Sequence, residues 1–250
     1  MAWLQQQTLK STWDIKWLEQ QRSIARQGLK KAGLGGFMEV QFALSESKLS
    51  KNQRELFQAA EKAQIDWFGW PIAVVLDNRE EFRPRPRSDG IVAEIGPEGR
   101  KSYDYWTLRR DGDFYLLQSL FEDMRRPESL FVDTRIKRVT EVLLYSARLY
   151  SRLGAAKSAT ISVGVRHGGL NGRVLTTASP DRDIRERSTS EDEVEAQVHV
   201  ELSRLESELV RLVEDLTRPL FMVFDFFELS HKVYEEIIGE FVGGRILNPN

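Results

Sequence analysis

The sequence predicts an α+β fold, a largely antiparallel sheet with helices packed on one face. Three observations carry this. The elements run helix, strand, helix, several strands, helix, strands, helix, strand, helix, so strands come in groups instead of alternating strictly with helices. In Asp104-Tyr-Trp-Thr-Leu-Arg-Arg-Asp-Gly-Asp-Phe-Tyr-Leu-Leu117, two apolar and aromatic runs meet at Asp111-Gly112, a dipeptide that supplies the positive φ angles of a two-residue hairpin turn. After Arg125-Arg126-Pro127, Asp133 can cap a helix whose Ile136, Val139, Leu143, Ala147 and Tyr150 form one apolar stripe, and Gly154 can end it. The hairpin has one apolar face and the helix one apolar stripe, so each is expected to bury the other.

The other elements follow in order. Asp14 to Lys31 has helical spacing through Ile15, Leu18, Ile24 or Ala25, and Leu29, and closes at Gly33 and Gly35-Gly36. Trp3, Trp13 and Trp17 bring too much aromatic surface for a free tail and predict docking onto the body or another subunit. Phe37 to Leu44 alternates as a half-buried strand, with Glu39 and Gln41 on the wet side. Ser50 can cap a helix running to about Ile65. Pro71 to Leu76 reads as an apolar strand that starts on its proline. Phe82-Arg-Pro-Arg-Pro-Arg87 must be extended, because the residue before each proline is pushed out of the helical region. Ile91 to Ile95 is a strand, and Gly96-Pro-Glu-Gly99 a turn. Ala159 to Val165 is a strand leading into the glycine-rich Arg166 to Arg173, and Ser179 to Ser190 is polar enough for a mobile loop. Val194 to Leu202 alternates as a strand with one wet face. Ser203 and Glu206 have capping-box spacing for a helix through Leu216, Leu220 to Phe227 reads as a buried strand, and Ser230 can cap a last helix ending at Gly243-Gly244. Residues 1–45 read as an N-terminal docking or assembly segment and 46–250 as a single α+β domain. A two-domain cut would fall near Ser179.

Composition bounds the function classes. With 250 residues, 41% hydrophobic, the chain can bury a substantial core. It has no cysteine, which excludes disulfides, thiolate metal sites and cysteine nucleophiles. No apolar run approaches the length of a membrane span, and Met1-Ala-Trp-Leu lacks the character of a signal peptide, so a cytoplasmic protein is expected. GxGxxG, P-loop, HExxH and GxSxG are all missing, and no cofactor is expected. Residues 1–180 carry 28 Lys and Arg against 21 Asp and Glu, while 181–250 carry 8 against 17. Either the two halves neutralise each other or the first presents a basic face to an anion such as nucleic acid. Of 36 basic residues 25 are arginine, which suits bidentate contact with phosphate. The candidates for that contact are Arg83, Arg85, Arg87, Arg109, Arg110, Arg166 and Arg173. The first three sit on a stiff rod that could grip phosphates at little ordering cost; the competing reading is an edge segment guarded by prolines and charge.

Two enzymatic alternatives are open. Arg166-His167-Gly168, at a strand end, resembles the signature of the histidine phosphatase superfamily, in which the histidine is phosphorylated and the arginine holds the phosphate. That family places the motif on its first strand and uses a second histidine and another arginine; here only His199 and His231 remain. Asp225 and Glu228, joined by Asp89, Glu94 or Asp104, could instead hold a divalent metal for phosphoryl chemistry.

A broader resemblance rests on Phe68-Gly-Trp-Pro-Ile72, Asp89-Gly-Ile-Val-Ala-Glu94, Asp104 to Leu117, Asp133-Thr-Arg-Ile136 and Arg166-His-Gly-Gly169. Over about residues 50–245 the chain resembles the region that follows the Schlafen/AlbA-type DNA-binding domain in bacterial regulator proteins. Nothing ahead of residue 50 resembles that domain itself, so its DNA or ATP binding does not carry over. The resemblance implies an accessory, sensing or assembly domain in DNA-linked regulation or defence. Together these readings predict a non-catalytic interaction domain that self-associates as a homo-oligomer and meets nucleic acid or a nucleic-acid-bound protein.

Overall fold

The structure is a computed structural model; it describes residues 13–45, 49–67, 69–76, 78–96, 102–179, 182 and 184–243. Trp3, the turn from Gly96 to Gly99 beyond Gly96 itself, and part of the polar Ser179 to Ser190 stretch lie outside the described residues. In chain order the helices are α1 (Ile15–Lys31), α2 (Gln53–Ala63), α3 (Val132–Arg152), α4 (Leu209–Met222) and α5 (His231–Val242). The strands are β1 (Phe37–Leu44), β2 (Arg85–Pro86), β3 (Gly90–Ile95), β4 (Asp104–Arg109), β5 (Phe114–Ser119), β6 (Ser129–Phe131), β7 (Thr160–Gly168), β8 (Val174–Thr176), β9 (Arg187–Ser188) and β10 (Glu193–Glu201).

The expected α+β architecture with a largely antiparallel sheet is present. Seven strands form one sheet in the order β10-β7-β1-β5-β4-β3-β2, every neighbouring pair antiparallel. One face is covered by α2 to α5. There Met38, Val40, Phe42 and Leu44 of β1 join Phe114, Leu116, Ile136, Val139, Leu143 and Tyr150 in the main core. The hairpin and α3 do bury each other: Phe42 stacks on Phe114 at 4.2 Å, and the Tyr145 ring lies 5.8 Å from Phe114. Ring pairs of this kind each add about 0.5–1.5 kcal/mol beyond their buried area. The Tyr150 hydroxyl donates to the Gly112 carbonyl at 2.9 Å and so pins the hairpin tip to α3.

The opposite face has its own cover. Asp14 caps α1 by accepting from the Trp17 amide at 3.1 Å, and the stripe of Trp17, Leu18, Ala25 and Leu29 packs on Tyr105, Tyr115 and Leu117. This is why β1 is buried on both sides and not half-buried. Glu39, facing α1, accepts from Arg22 at 2.9 Å and Arg26 at 2.7 Å.

Several boundaries differ from the sequence expectation, each for a physical reason. The hairpin loop has three residues: the Arg109 amide donates to the Asp113 carbonyl at 2.8 Å, and Gly112 alone takes the positive φ, at 98°. Asn52, not Ser50, caps α2, in a reciprocal capping box with Glu55. Pro71 to Leu76 joins no strand ladder. Its backbone is satisfied by side chains instead, the Ile72 amide by Glu141 and the Val75 amide by Gln64, while the Val74 carbonyl accepts from the Trp106 indole. Asp133 is not the cap of α3; its carboxylate takes the Ala178 and Ser179 amides, each at 3.0 Å. Ser203 lies within a short turn of 3₁₀ type, Leu202–Arg204, and Glu206 follows it, while α4 starts only at Leu209. Leu220 to Met222 continue that helix past Pro219, because Leu209, Leu212, Leu216 and Leu220 sit on one buried face; the rest of the apolar run turns, and no strand forms there.

Around the start of α3 lies a dense layer of buried charge. Glu122, fully buried, accepts from the Arg135 guanidinium at 2.9 Å and from the Phe131 amide at 3.0 Å. Asp123 accepts from Arg173 at 2.5 Å and from the Gly36 amide at 3.2 Å. Arg173 also donates to the carbonyls of Gly169 and Ser129. A small three-stranded sheet, β6-β8-β9, is built on this layer, with β6 and β8 parallel. Removing one partner of a buried pair strands the other charge. Glu122→Gln is therefore expected to cost about 3–5 kcal/mol of stability, read as a lower midpoint with an unchanged slope in urea unfolding.

Candidate nucleic-acid interface

The seven arginines singled out by sequence divide sharply. Arg83, Arg85 and Arg87 are exposed on the sheet edge, where Arg85 pairs with Val92 and Pro86 with Ile91. Pro84 and Pro86 have no N–H to offer a further strand, so this edge carries side chains outward instead of an open ladder. All three arginines line a groove of about 550 Å³ between β2 and α1, with Lys31 of α1 across from them. Its floor includes Val92, Tyr103 and Tyr105. The helix comes this close because Gly28 has no side chain: a Cβ there would meet the Tyr103 hydroxyl at 1.9 Å.

The groove carries net positive charge over a partly apolar lining. The negative charges lining it are Glu81 and Glu94, and Glu94 is engaged by the Tyr103 hydroxyl, which donates to it at 3.0 Å. Burial, with Glu94 beside it, pushes the Tyr103 phenol far up. Burial also raises Tyr105, to about 12, against the opposing pull of the Arg87 charge, so both phenols stay protonated donors. The Arg83 guanidinium lies over the Phe57 ring at 5.8 Å.

The other four arginines serve the fold. Arg109 pairs with Asp14 at 2.9 Å and Asp111 at 3.2 Å and lies over the Trp17 ring. Arg110 donates to the Lys51 carbonyl at 3.0 Å. Arg166 pairs with Glu193 and Glu195, and Arg173 belongs to the buried layer. Sequence reasoning could not separate these from Arg83, Arg85 and Arg87, because Asp14, the Lys51 carbonyl, Glu193 and Asp123, which engage them, come from distant positions. Lys31 was missed for the same reason; its only local signal is a basic last turn of a helix.

Arg166 and His167 are neighbours on β7, so they point to opposite faces of the sheet. Arg166 faces the side of α1, and His167, 1% exposed, faces α3. Burial, then the nearby Arg135 charge, holds the His167 imidazole well below its usual value, so it stays neutral. The phosphatase-like pair therefore does not converge on one phosphate. His199 points to the wet face as its strand pattern requires, with Nδ1 2.7 Å from the Ser162 hydroxyl. His231 contacts Glu214 at 2.9 Å. Gly169 and Gly172 take the positive φ expected of a tight turn; Gly168 does not, and instead ends β7 beneath the Phe37 ring.

The carboxylate set is also dispersed. Asp225 is exposed on a turn at φ 55°, nearest Arg187 at 4.0 Å, and Glu228 is nearest Arg218 at 3.7 Å. Among the described residues no group of three His, Cys, Asp or Glu could hold a metal ion. Asp104 is buried and accepts from the Trp70 indole, and Asp89 is exposed. No helix among the described residues is long and apolar enough to cross a membrane. No family model, curated protein or solved structure matches this chain.

Burial pushes the Asp104 carboxyl up to about 6, opposed by hydrogen bonds from Trp70 and Gln118 and by the Arg138 charge. In the unfolded chain it loses its proton near pH 3.9. Its contribution is thus fully present below about pH 4 and is lost as pH rises through about 6, a change of about 3 kcal/mol. Asp104→Asn is expected to be more stable than wild type above pH 6, with the difference shrinking toward pH 4. Urea unfolding of both proteins across that range checks it.

Proposed function

We propose that this protein is a non-catalytic interaction domain that binds the phosphate backbone of single-stranded nucleic acid in the groove between β2 and α1. The observation that carries this reading is the convergence of charge on one groove: Arg83, Arg85 and Arg87 line it from a proline-stiffened rim with Lys31 across from them, whereas Arg109, Arg110, Arg166 and Arg173 lie outside it. Exposed guanidiniums two residues apart on extended chain are spaced by about 6.6 Å, and their planar forks suit phosphate oxygens. The prolines hold the rim in place before binding, so little entropy is lost on contact.

A positively charged groove that tracks a backbone is the usual device for a single strand. Phosphate contact of this kind carries little sequence information, so recognition of a particular sequence is not expected from this groove. The likeness of residues 50–245 to a region found in DNA-linked bacterial regulators points the same way. That setting, regulation or defence acting through nucleic acid, is the one in which we place the protein.

Fluorescence anisotropy with single- and double-stranded DNA and RNA, at low and near-physiological salt, tests the reading. Single strands are expected to bind more tightly, with an affinity that falls as salt rises. Replacing Arg83, Arg85 and Arg87 together by alanine should weaken binding at least tenfold and reduce the salt slope by about 2, since each lost single-strand phosphate contact removes about 0.7. Absence of binding at low salt, or an undiminished affinity in the triple variant, would overturn it.

A further inference from the structure

The two edges of the large sheet are built in opposite ways. The β2 edge is two residues long and guarded by Pro84 and Pro86. The other edge, β10, is nine residues long, and each of them, Glu193 to Glu201, is in continuous register with β7 from Gly168 to Thr160. It holds no proline, no lysine and no bulge, three of the devices by which proteins blunt an edge; its charges are Glu193, Glu195 and Glu201. Among the described residues its backbone bonds only to β7, so the outward N–H and C=O groups of a long, regular strand stand unpaired.

The side chains of β10 say what would pair there. Glu193-Val-Glu-Ala-Gln-Val-His-Val-Glu201 reads nearly the same in both directions about Gln197. Antiparallel pairing with a second copy about a two-fold axis at Gln197 sets Val194 against Val200 and Ala196 against Val198 of the other chain. These lie on the side that already faces the main core, where Val198 and Val200 are buried and Val194 and Ala196 half-buried. On the wet side Glu195 meets His199 of the other chain, and Gln197 meets its own equivalent, whose amide can both donate and accept. The like-charged match, Glu193 with Glu201, is softened within each chain: Arg26 and Arg166 hold Glu193, and the Ser203 hydroxyl donates to Glu201.

We infer that β10 is a homodimer interface, in which two copies join their edges antiparallel about Gln197 to form one continuous sheet. An isologous contact of this kind needs one self-complementary strand and nothing else. This stands apart from the nucleic-acid reading, since β10 and β2 are opposite edges.

Because the chain has no cysteine, Gln197→Cys gives a direct test. Facing Cα atoms at the axis would lie about 4.5–5.5 Å apart, within disulfide range. Mild oxidation with diamide should convert Gln197→Cys to a covalent dimer and leave Arg54→Cys, on α2, monomeric on a non-reducing gel. Sedimentation of the wild type between about 1 and 100 μM should show a dimer that dissociates on dilution, and Gln197→Lys should weaken it at least tenfold. Hydrogen exchange of the wild type should slow at residues 193–201 as concentration rises. A wild type that stays monomeric at 100 μM, a dimer unaffected by Gln197→Lys, or equal cross-linking at positions 54 and 197 would overturn the inference.

Discussion

The buried charge around the first turn of α3 is the constraint on which the rest of the structure depends. Glu122 and Asp123 sit on the short turn after β5, Arg135 on α3, and Arg173 beyond the end of β7. Three separate segments are thus tied at one point. Burying such groups is costly unless every lone pair and proton finds a partner. Here the backbone supplies several of them: the Gly36 and Phe131 amides donate, and the Gly169 and Ser129 carbonyls accept, while the buried Nε of Arg135 has no hydrogen-bond partner. A layer satisfied in this way tolerates few rearrangements, which fixes how α3 enters the core and where the small sheet attaches.

Much of the fold was legible in the sequence, and what was legible was local. Alternation in Phe37 to Leu44 and Val194 to Leu202, the glycine at the hairpin tip, and the apolar stripes of α1 and α3 each depend on neighbours within a turn or a strand, although Ile15, read into the stripe of α1, is exposed. The errors came where a distant group replaced a local one. Asp133 had the position of a cap, yet two amides of the 178–179 segment claim its carboxylate. Pro71 to Leu76 had the composition of a strand, but side chains of Gln64 and Glu141 satisfy its amides. Leu220 to Phe227 was misread by period: a short apolar run fits a strand as well as a helix.

The candidate site was legible only as a pool of charges. The arginine-proline alternation marked a segment that is extended with its arginines exposed, because its chemistry favours both together. Arg109, Arg166 and Arg173 looked equivalent on paper; their partners Asp14, Glu193 and Asp123 are set by the sheet order and not by spacing. The same holds for Arg166-His167, where adjacency suggested a common site and strand alternation separates the two side chains. A sheet with helices on both faces lets one side store the buried layer while the other, through α1, shapes an open groove.

The central place of β1 also bears on how the chain is made. This apolar strand is finished by Leu44, but its partners β5 and β7 begin only at Phe114 and Thr160. At synthesis rates of about 5–20 residues per second, roughly 6–25 seconds separate its emergence from the completion of β7. Met38, Val40, Phe42 and Leu44 have no sheet to join until β5 is complete at Ser119, and one edge of β1 stays open until β7 is complete. A ribosome-associated chaperone would meet a sticky segment early and release it late, and the yield of folded protein should respond to translation speed between these two points.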